Sequence, residues 1–339
     1  MKPSQQRVML VGGAGFIGHH LAIRLAADGA EVHVIDNRAP SNGSTNFLPH
    51  YSVSVLQERR QLLHKYGVTL HRFDAAESGS FYKLFRQIHP QVVIHLAGIV
   101  SSEQADLHPA LALSSGLQTL SNSLEYSEDR VQRFVYFSSS MVYGDFLSAD
   151  ADENHPTAPV NLYGAIKLAG ERLVVTHGET SHVPWTILRP SAVYGPRCLK
   201  ASVIERLLTQ AVSGGSLTIA GDPSSRLDFT YVDDVVTGTC LALHSAKAAG
   251  EIFNLTFGCA RTIREVAEVI RSHFPAVAVA CCNAQSTKPR RGTLCIDKAR
   301  QLLGYCPEYS LEQGVSSYIP WMQAVYGERS RRRLRADVT

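Results

Sequence analysis

The chain has 339 residues, 45% hydrophobic and 19% charged, enough apolar material for a sizeable core and too much for a disordered protein. Its formal net charge of +3 is too small to indicate a nucleic-acid partner. The excess is also local, because Arg329, Arg331, Arg332, Arg333 and Arg335 crowd the last residues, a run read as a solvated tail.

Seven cysteines, without a C-x-x-C pair, suit reduced thiols in a cytoplasmic protein better than disulfides or zinc ligands, so no metal is expected. No apolar run of about 18 residues occurs, so no membrane span is expected. Met1-Lys2-Pro3-Ser4 leads within a few residues into an apolar strand, so no signal peptide is expected.

In chain order, Arg7 to Val11 reads as a strand, Phe16 to Ala27 as a helix and Glu31 to Ile35 as a second strand. A polar segment rich in turn residues runs from Arg38 to about Ser54. Then come a helix (about Val55 to Lys65), a strand (Val68 to Phe73), a helix (Ser80 to Ile88) and the strand Val92 to Leu96. One long helix near Pro109 to Tyr126 leads to the strand Arg133 to Phe137. Another, beginning after Val160, carries Tyr163 and Lys167 and leads to the strand Trp185 to Leu188.

From Tyr194 the elements shorten: helices at Val203 to Val212, Val232 to His244 and Thr262 to His273, and strands at Leu217 to Ala220 and Ile252 to Leu255. Strand–helix alternation with nearly all-apolar strands predicts a parallel sheet covered on both faces.

Gly12, Gly15 and Gly18 lie between the first strand and the first helix. Gly12 permits a tight turn, Gly15 lets a pyrophosphate approach the backbone, and Gly18 lets the helix pack on the strand. The amides of Phe16 and Ile17 then face the phosphates at the helix N-terminus. Asp36 ends the second strand, where a carboxylate accepts the ribose hydroxyls of NAD and repels the 2′-phosphate of NADP; Asn37 adjoins it. Arg38 softens that preference. Asp74, after the third strand, has two readings of equal weight, an adenine contact or a helix cap. Leu96, Ala97 and Gly98 end the fourth strand with small residues, as suits backbone passing beneath a cofactor.

The fold class expected is α/β, a Rossmann-type doubly wound parallel sheet with a smaller, mixed C-terminal substrate lobe. Residues 1–190 are expected to form the NAD-binding domain with the catalytic residues. Residues 191–325 are expected to form mainly the substrate lobe, with some segments returning to the sheet, and 326–339 a disordered basic tail.

Tyr163 and Lys167 form a Y-x-x-x-K step, whose spacing puts both side chains on one helix face. An ammonium beside a phenol lowers the phenol's pKa and makes it a usable base. Ser138, Ser139 and Ser140 end the strand before that helix, at the sheet edge where ligands bind in open α/β folds.

The glycine loop, the serine run, Y-x-x-x-K and Leu188-Arg189-Pro190-Ser191-Ala192-Val193-Tyr194-Gly195-Pro196-Arg197 together resemble the extended short-chain dehydrogenase/reductase family, in its nucleotide-sugar epimerase and dehydratase branch. The resemblance continues through Asp228 to Val235, Lys288 to Gly292 and Ala299 to Tyr305. It implies that Tyr163 takes the proton of a sugar 4-hydroxyl, that Lys167 holds the nicotinamide ribose, and that Ser139 hydrogen-bonds the same hydroxyl. Ser140 is a further substrate candidate, although strand-end hydroxyls commonly bond local backbone.

In the 4,6-dehydratases an Asp-Glu pair follows that serine; in uronate decarboxylases a Glu, and in 3,5-epimerising enzymes a Cys, takes the position of Met141. This chain has Ser140 and Met141. A thioether neither gives nor takes a proton, which leaves 4-epimerisation. The resemblance further implies a substrate diphosphate held by arginines, for which Arg197, Arg226 and Arg290 are the candidates. Arg226 stands one position early against the family pattern, and Arg291 replaces the proline that follows Arg290. Ala192 and Gly116 each replace a usual Asn, and the stretch from Asn46 to Val68 is similar to an insertion of bacterial UDP-glucuronate 4-epimerases.

The function expected is an NAD-dependent UDP-hexose or UDP-uronate 4-epimerase, a homodimer in the cytoplasm with no nucleic-acid or membrane partner. The alternatives are a 4-ketoreductase, an atypical dehydratase, or a non-catalytic NAD-binding sensor or scaffold.

Overall fold

A computed structural model describes residues 6–37, 51–99, 101–127, 131–199, 202–282 and 289–336, with backbone alone at 51–52 and 327–336. Arg38, the residue weighed against Asp36, lies outside these residues.

The first half alternates strictly: β1 (Arg7–Val11), α1 (Phe16–Ala27), β2 (Glu31–Ile35), α2 (Tyr51–Lys65), β3 (Thr69–His71), α3 (Ser78–Ile88) and β4 (Val92–His95). Next come α4 (Ser102–Leu107), α5 (Pro109–Leu113), a π-helical turn at Ser114–Gln118, α6 (Thr119–Glu125) and β5 (Arg133–Phe137). A 3-10 turn at Ser140–Tyr143 and β6 (Asp150–Ala151) precede α7 (Leu162–Ser181), β7 (Trp185–Pro190) and β8 (Val193–Tyr194).

The remainder comprises α8 (Val203–Val212), β9 (Leu217–Ala220), β10 (Arg226–Leu227), β11 (Thr230–Tyr231), α9 (Val232–His244), β12 (Glu251–Leu255), β13 (Arg261–Thr262) and α10 (Ile263–His273). It closes with β14 (Val279–Cys282), β15 (Thr293–Leu294), α11 (Asp297–Leu303) and α12 (Leu311–Ala336).

Seven strands form one parallel sheet in the order β12-β7-β5-β4-β1-β2-β3. Side-chain alternation along a strand divides the core between the two faces. Val8 and Leu10 pack with Leu21 and Leu25 of α1 and with Val235 of α9. Met9 and Val11 pack with Phe81 and Phe85 of α3, Leu120 and Leu124 of α6, and Val174 of α7. Both faces are buried, which is why the strands are apolar throughout rather than alternating. The sheet reverses direction of growth between β1 and β4, and the crevice at their C-terminal ends receives the cofactor loop.

A separate core holds the second lobe together, built from Ile204, Leu207 and Leu208 of α8, Val266 and Ile270 of α10, and Val315, Tyr318 and Met322 of α12. Between those elements the chain returns once to the main sheet, as β12 against β7.

Two expectations need correction. The helix near 109–126 is interrupted by the π-helical turn, centred on Gly116, where a β-carbon would meet Ile166 Cγ2 at 2.7 Å. The arginine run, read as a disordered tail, continues α12 to Ala336, in keeping with the high helix propensity of arginine.

Candidate active site

The glycine loop closes over the end of β4. Gly12 has φ of +79°, and a β-carbon on it would lie 2.7 Å from the Ala97 backbone. A β-carbon on Gly18 would meet Gly13 at 2.7 Å, so α1 can start only where it does. Gly15 is the N-cap of α1 and offers no side chain to its first turn, whose amides, at Phe16 and Ile17, have no intrahelical acceptor. Asp36 accepts a 3.0 Å bond from Ala14 N and so leans across the loop from the end of β2. Asp74 accepts from Ala76 N at 2.9 Å, a local turn, and its second oxygen is reached by Asn37 Nδ2 at 3.4 Å; the N-cap position of α3 is Glu77, whose side chain makes no capping bond.

Arg59, on α2, braces this loop in a way that sequence reading missed. It is buried, donates to Ala14 O at 3.2 Å, and holds Arg197 O with Nε at 3.2 Å and Nη2 at 2.5 Å.

At the neighbouring strand end the three serines diverge. Ser138 Oγ donates to Glu171 Oε1 at 2.5 Å, Ser139 Oγ accepts Met141 N at 3.2 Å, and Ser140 is buried. Helix α7 starts beside them because Asn161 Oδ1 caps Gly164 N at 2.9 Å. It lies close because Gly164 and Gly170 face Met141 O and Tyr136, where a β-carbon would fall 2.7 and 2.1 Å away.

Tyr163 is thereby brought beside Ser139, close enough for the serine hydroxyl to act on its phenol. Lys167, one turn on, is buried, donates to Phe137 O at 2.7 Å and lies 5.2 Å from the Tyr136 ring centroid. Together with Gly98, Ile99, Ala105, Ala112, Gly116 and Ile166, Tyr163 and Lys167 line one cleft.

Burial raises the Tyr163 phenol above its ordinary value, and the Ser139 hydroxyl opposes that rise. A lowering by Lys167 was expected; the structure gives none, because the ammonium reaches back to the Phe137 carbonyl. Burial instead lowers Lys167 to about 8, with Glu171, one turn further along α7, pulling it up. Glu171 is clamped by Arg189, Nε at 2.8 Å and Nη2 at 2.7 Å, and Arg189 also reaches Tyr143 OH at 2.9 Å. Helical spacing from Lys167 was the signal for Glu171.

A model of the NAD dependent epimerase/dehydratase family matches residues 8–256. The chain belongs to that family.

Within it, the uncharacterized UDP-glucose epimerase YtcB of Bacillus subtilis (strain 168) is 30% identical over 326 residues, covering 94% of this chain and 99% of its own. UDP-glucuronate 4-epimerase 4 of Arabidopsis thaliana is 28% identical, covering 94% of this chain and 76% of its own. Among solved structures, UDP-glucuronic acid 4-epimerase from Bacillus cereus, in complex with UDP-glucuronic acid and NAD, has a TM-score of 0.84 at 27% identity, covering 95% of this chain and all of that one.

Against the family's pattern, the three arginines expected at the diphosphate behave differently. Arg197 has φ of +66° and is engaged by α1 and α2, with Nε to His19 Nε2 at 2.9 Å and Nη1 to Glu58 Oε1 at 3.2 Å. Arg226 is exposed and donates to Ala260 O at 2.5 Å. Arg290 is also exposed; its amide bonds Asp145 Oδ1 at 2.5 Å and its carbonyl accepts Phe146 N at 2.9 Å. The next residue, Arg291, is the one that reaches the serine turn, Nη1 lying 3.0 Å from Met141 Sδ. The structure thus brings Ser139, Tyr163 and Lys167 together, and none of the three proposed arginines touches them.

Among the described residues no group of His, Cys, Asp and Glu is placed to hold a metal, and no helix is long and apolar enough to cross a membrane.

Proposed function

We propose that the chain is an NAD-dependent UDP-sugar 4-epimerase in which Tyr163, Ser139 and Lys167 perform the chemistry. The observation that carries this reading is the convergence of Ser139, at the end of β5, with Tyr163 and Lys167 of α7, with Met141 as the neighbouring side chain. Two hydroxyls stand ready for one substrate hydroxyl, and the adjacent position, a thioether, has no proton to exchange.

The residues present fit the cofactor: the β-carbon-free approach at Gly12 and Gly18, the uncapped first turn of α1 and Asp36 at the end of β2 make a dinucleotide cradle. Bound NAD supplies the acceptor, and then the donor, of the C4 hydride. Tyr163 removes the proton of the 4-hydroxyl as C4 becomes a ketone and returns it once the sugar has turned over. Ser139 orients that oxygen. Lys167, in the cleft with Gly98, positions the nicotinamide ribose.

Relatives carrying the printed names UDP-glucose epimerase and UDP-glucuronate 4-epimerase support the UDP-linked sugar. A cytoplasmic homodimer is the assembly we propose, with Leu107, Leu111 and Leu113 of α4 and α5 and Leu173 of α7 as exposed apolar residues for the contact.

The test is incubation of purified protein with UDP-glucose and UDP-glucuronate without added NAD. Interconversion with the galacto epimers is expected. Turnover only on addition of NADH or NADPH would show a ketoreductase instead, and no turnover of any nucleotide-sugar a binding scaffold.

A further inference from the structure

Among the described residues Arg291 is a cation without an ionic partner, beside the hydroxyls of the candidate site. Its Nε is enclosed and has no hydrogen-bond partner. Its Nη1 rests on a thioether, a weak acceptor for a guanidinium hydrogen. Among the described residues no carboxylate forms an ion pair with it; Asp228 and Asp145 act on it only through space. Asp228 is already occupied by Thr256 Oγ1, Gly258 N and Leu294 N, and Asp145 by the Arg290 amide.

The guanidinium is held at its station by the Phe146 ring, 5.0 Å from the centroid. Burying such a charge is costly unless an anion completes the site, and burial has already lowered this arginine to about 10.

Its position selects which substrate anion. Met141, under the fork, is two residues from Ser139 and donates its amide to the Ser139 hydroxyl that also acts on the Tyr163 phenol. That triad receives the sugar 4-hydroxyl. In a hexopyranose C6 is carried by C5, the neighbour of C4, whereas the anomeric phosphate leaves from C1 across the ring. An anion beside Met141 is therefore a C6 carboxylate.

We propose that Arg291 is the specificity-determining residue of the sugar site and that it pairs with the carboxylate of a nucleotide-linked uronic acid, so that the substrate is a UDP-uronate rather than a neutral UDP-hexose. The proposal rests on the 4-epimerase reading for where the sugar ring lies.

Binding separates the two. Calorimetric titration of the NAD-loaded protein with UDP, UDP-glucose and UDP-glucuronate is expected to rank UDP-glucuronate tightest. Arg291→Met is expected to weaken UDP-glucuronate by roughly 10- to 100-fold, the value of a charge-assisted pair, and to leave UDP and UDP-glucose within about 2-fold. Arg291→Lys, which retains charge but not the fork, is expected to fall between, and it stands in should the Met variant not fold.

Equal weakening of all three ligands would overturn the proposal and place Arg291 at the diphosphate. A wild type that binds UDP-glucose as tightly as UDP-glucuronate would also overturn it. Selective, Arg291-dependent binding of UDP-glucuronate without interconversion would instead uphold the carboxylate site and sink the epimerase reading alone.

Discussion

Glu171 and Arg189 form a bidentate ion pair beneath the reactive end of α7, with both side chains 3% exposed. The pair has two consequences, since the same carboxylate accepts Ser138 Oγ and supports the charge of Lys167 one turn earlier. Glu171→Gln leaves the buried guanidinium without a countercharge and is expected to cost about 3–5 kcal/mol of stability, measured by urea unfolding. A loss under 1 kcal/mol would mean that water replaces the carboxylate.

The pH dependence of turnover follows from Lys167. Catalysis needs its ammonium, so kcat is expected to fall as pH rises through about 8. Glu171 raises that pKa, so in Glu171→Gln the alkaline limb moves to lower pH. A limb that stays in place would show that another group governs it.

Folding stability carries the same signature with a worked sign. The folded-state pKa of Lys167, about 8, is below its ordinary 10.5, so the folded protein binds the proton less well than the unfolded chain. This group's contribution is most favourable above pH 10.5 and is lost as pH falls through 8. Lys167→Met removes that dependence, and thermal midpoints of wild type and variant are expected to diverge progressively as pH is lowered across this window.

Tyr163→Phe is expected to reduce kcat by about 10²- to 10⁴-fold, the usual share of a positioned acid/base. Cofactor content, read from absorbance of the purified protein, should not change. Ser139→Ala removes the hydroxyl that opposes the burial-induced rise of the phenol, so the limb at which activity appears is expected to move to higher pH.

Gly12→Ala places a β-carbon 2.7 Å from the Ala97 backbone at a φ of +79°. NAD affinity is expected to drop at least about 10-fold, from strain and from displacement of the loop. Unaltered affinity by fluorescence quenching would show that the crevice between β1 and β4 is not the cofactor site.

Much of the fold was legible because its signals are local. The apolar strands, the amphipathic helices between them and the glycine spacing each lie within a dozen residues, and the seven strands of the main sheet fall within two residues of those expected. Outside the main sheet α4, α11, α12, β14 and the two-residue strands β6, β8, β10, β11, β13 and β15 escaped; α4 is a six-residue turn of helix and β14 a strand exposed along most of its length. Tyr163 and Lys167 were legible for the same local reason, a helical spacing of four, and Ser139 because a hydroxyl run ends a strand.

The arginines mark the boundary of that legibility. Sequence pattern directed attention to Arg290, but in an extended chain adjacent side chains point to opposite sides. Which side meets the substrate depends on β15 pairing with β6 and on Phe146 bonding the Arg290 carbonyl, contacts that span more than 140 residues. Likewise Arg197 is bonded to His19 and Glu58, neither visible from its own neighbourhood. By itself the sequence determined the sheet, the glycine loop and the placing of Tyr163 and Lys167 on one helix, all encoded in periodicity and short spacing. Only the tertiary structure decided which arginine faces Met141, because long-range strand register, not local composition, aims a side chain.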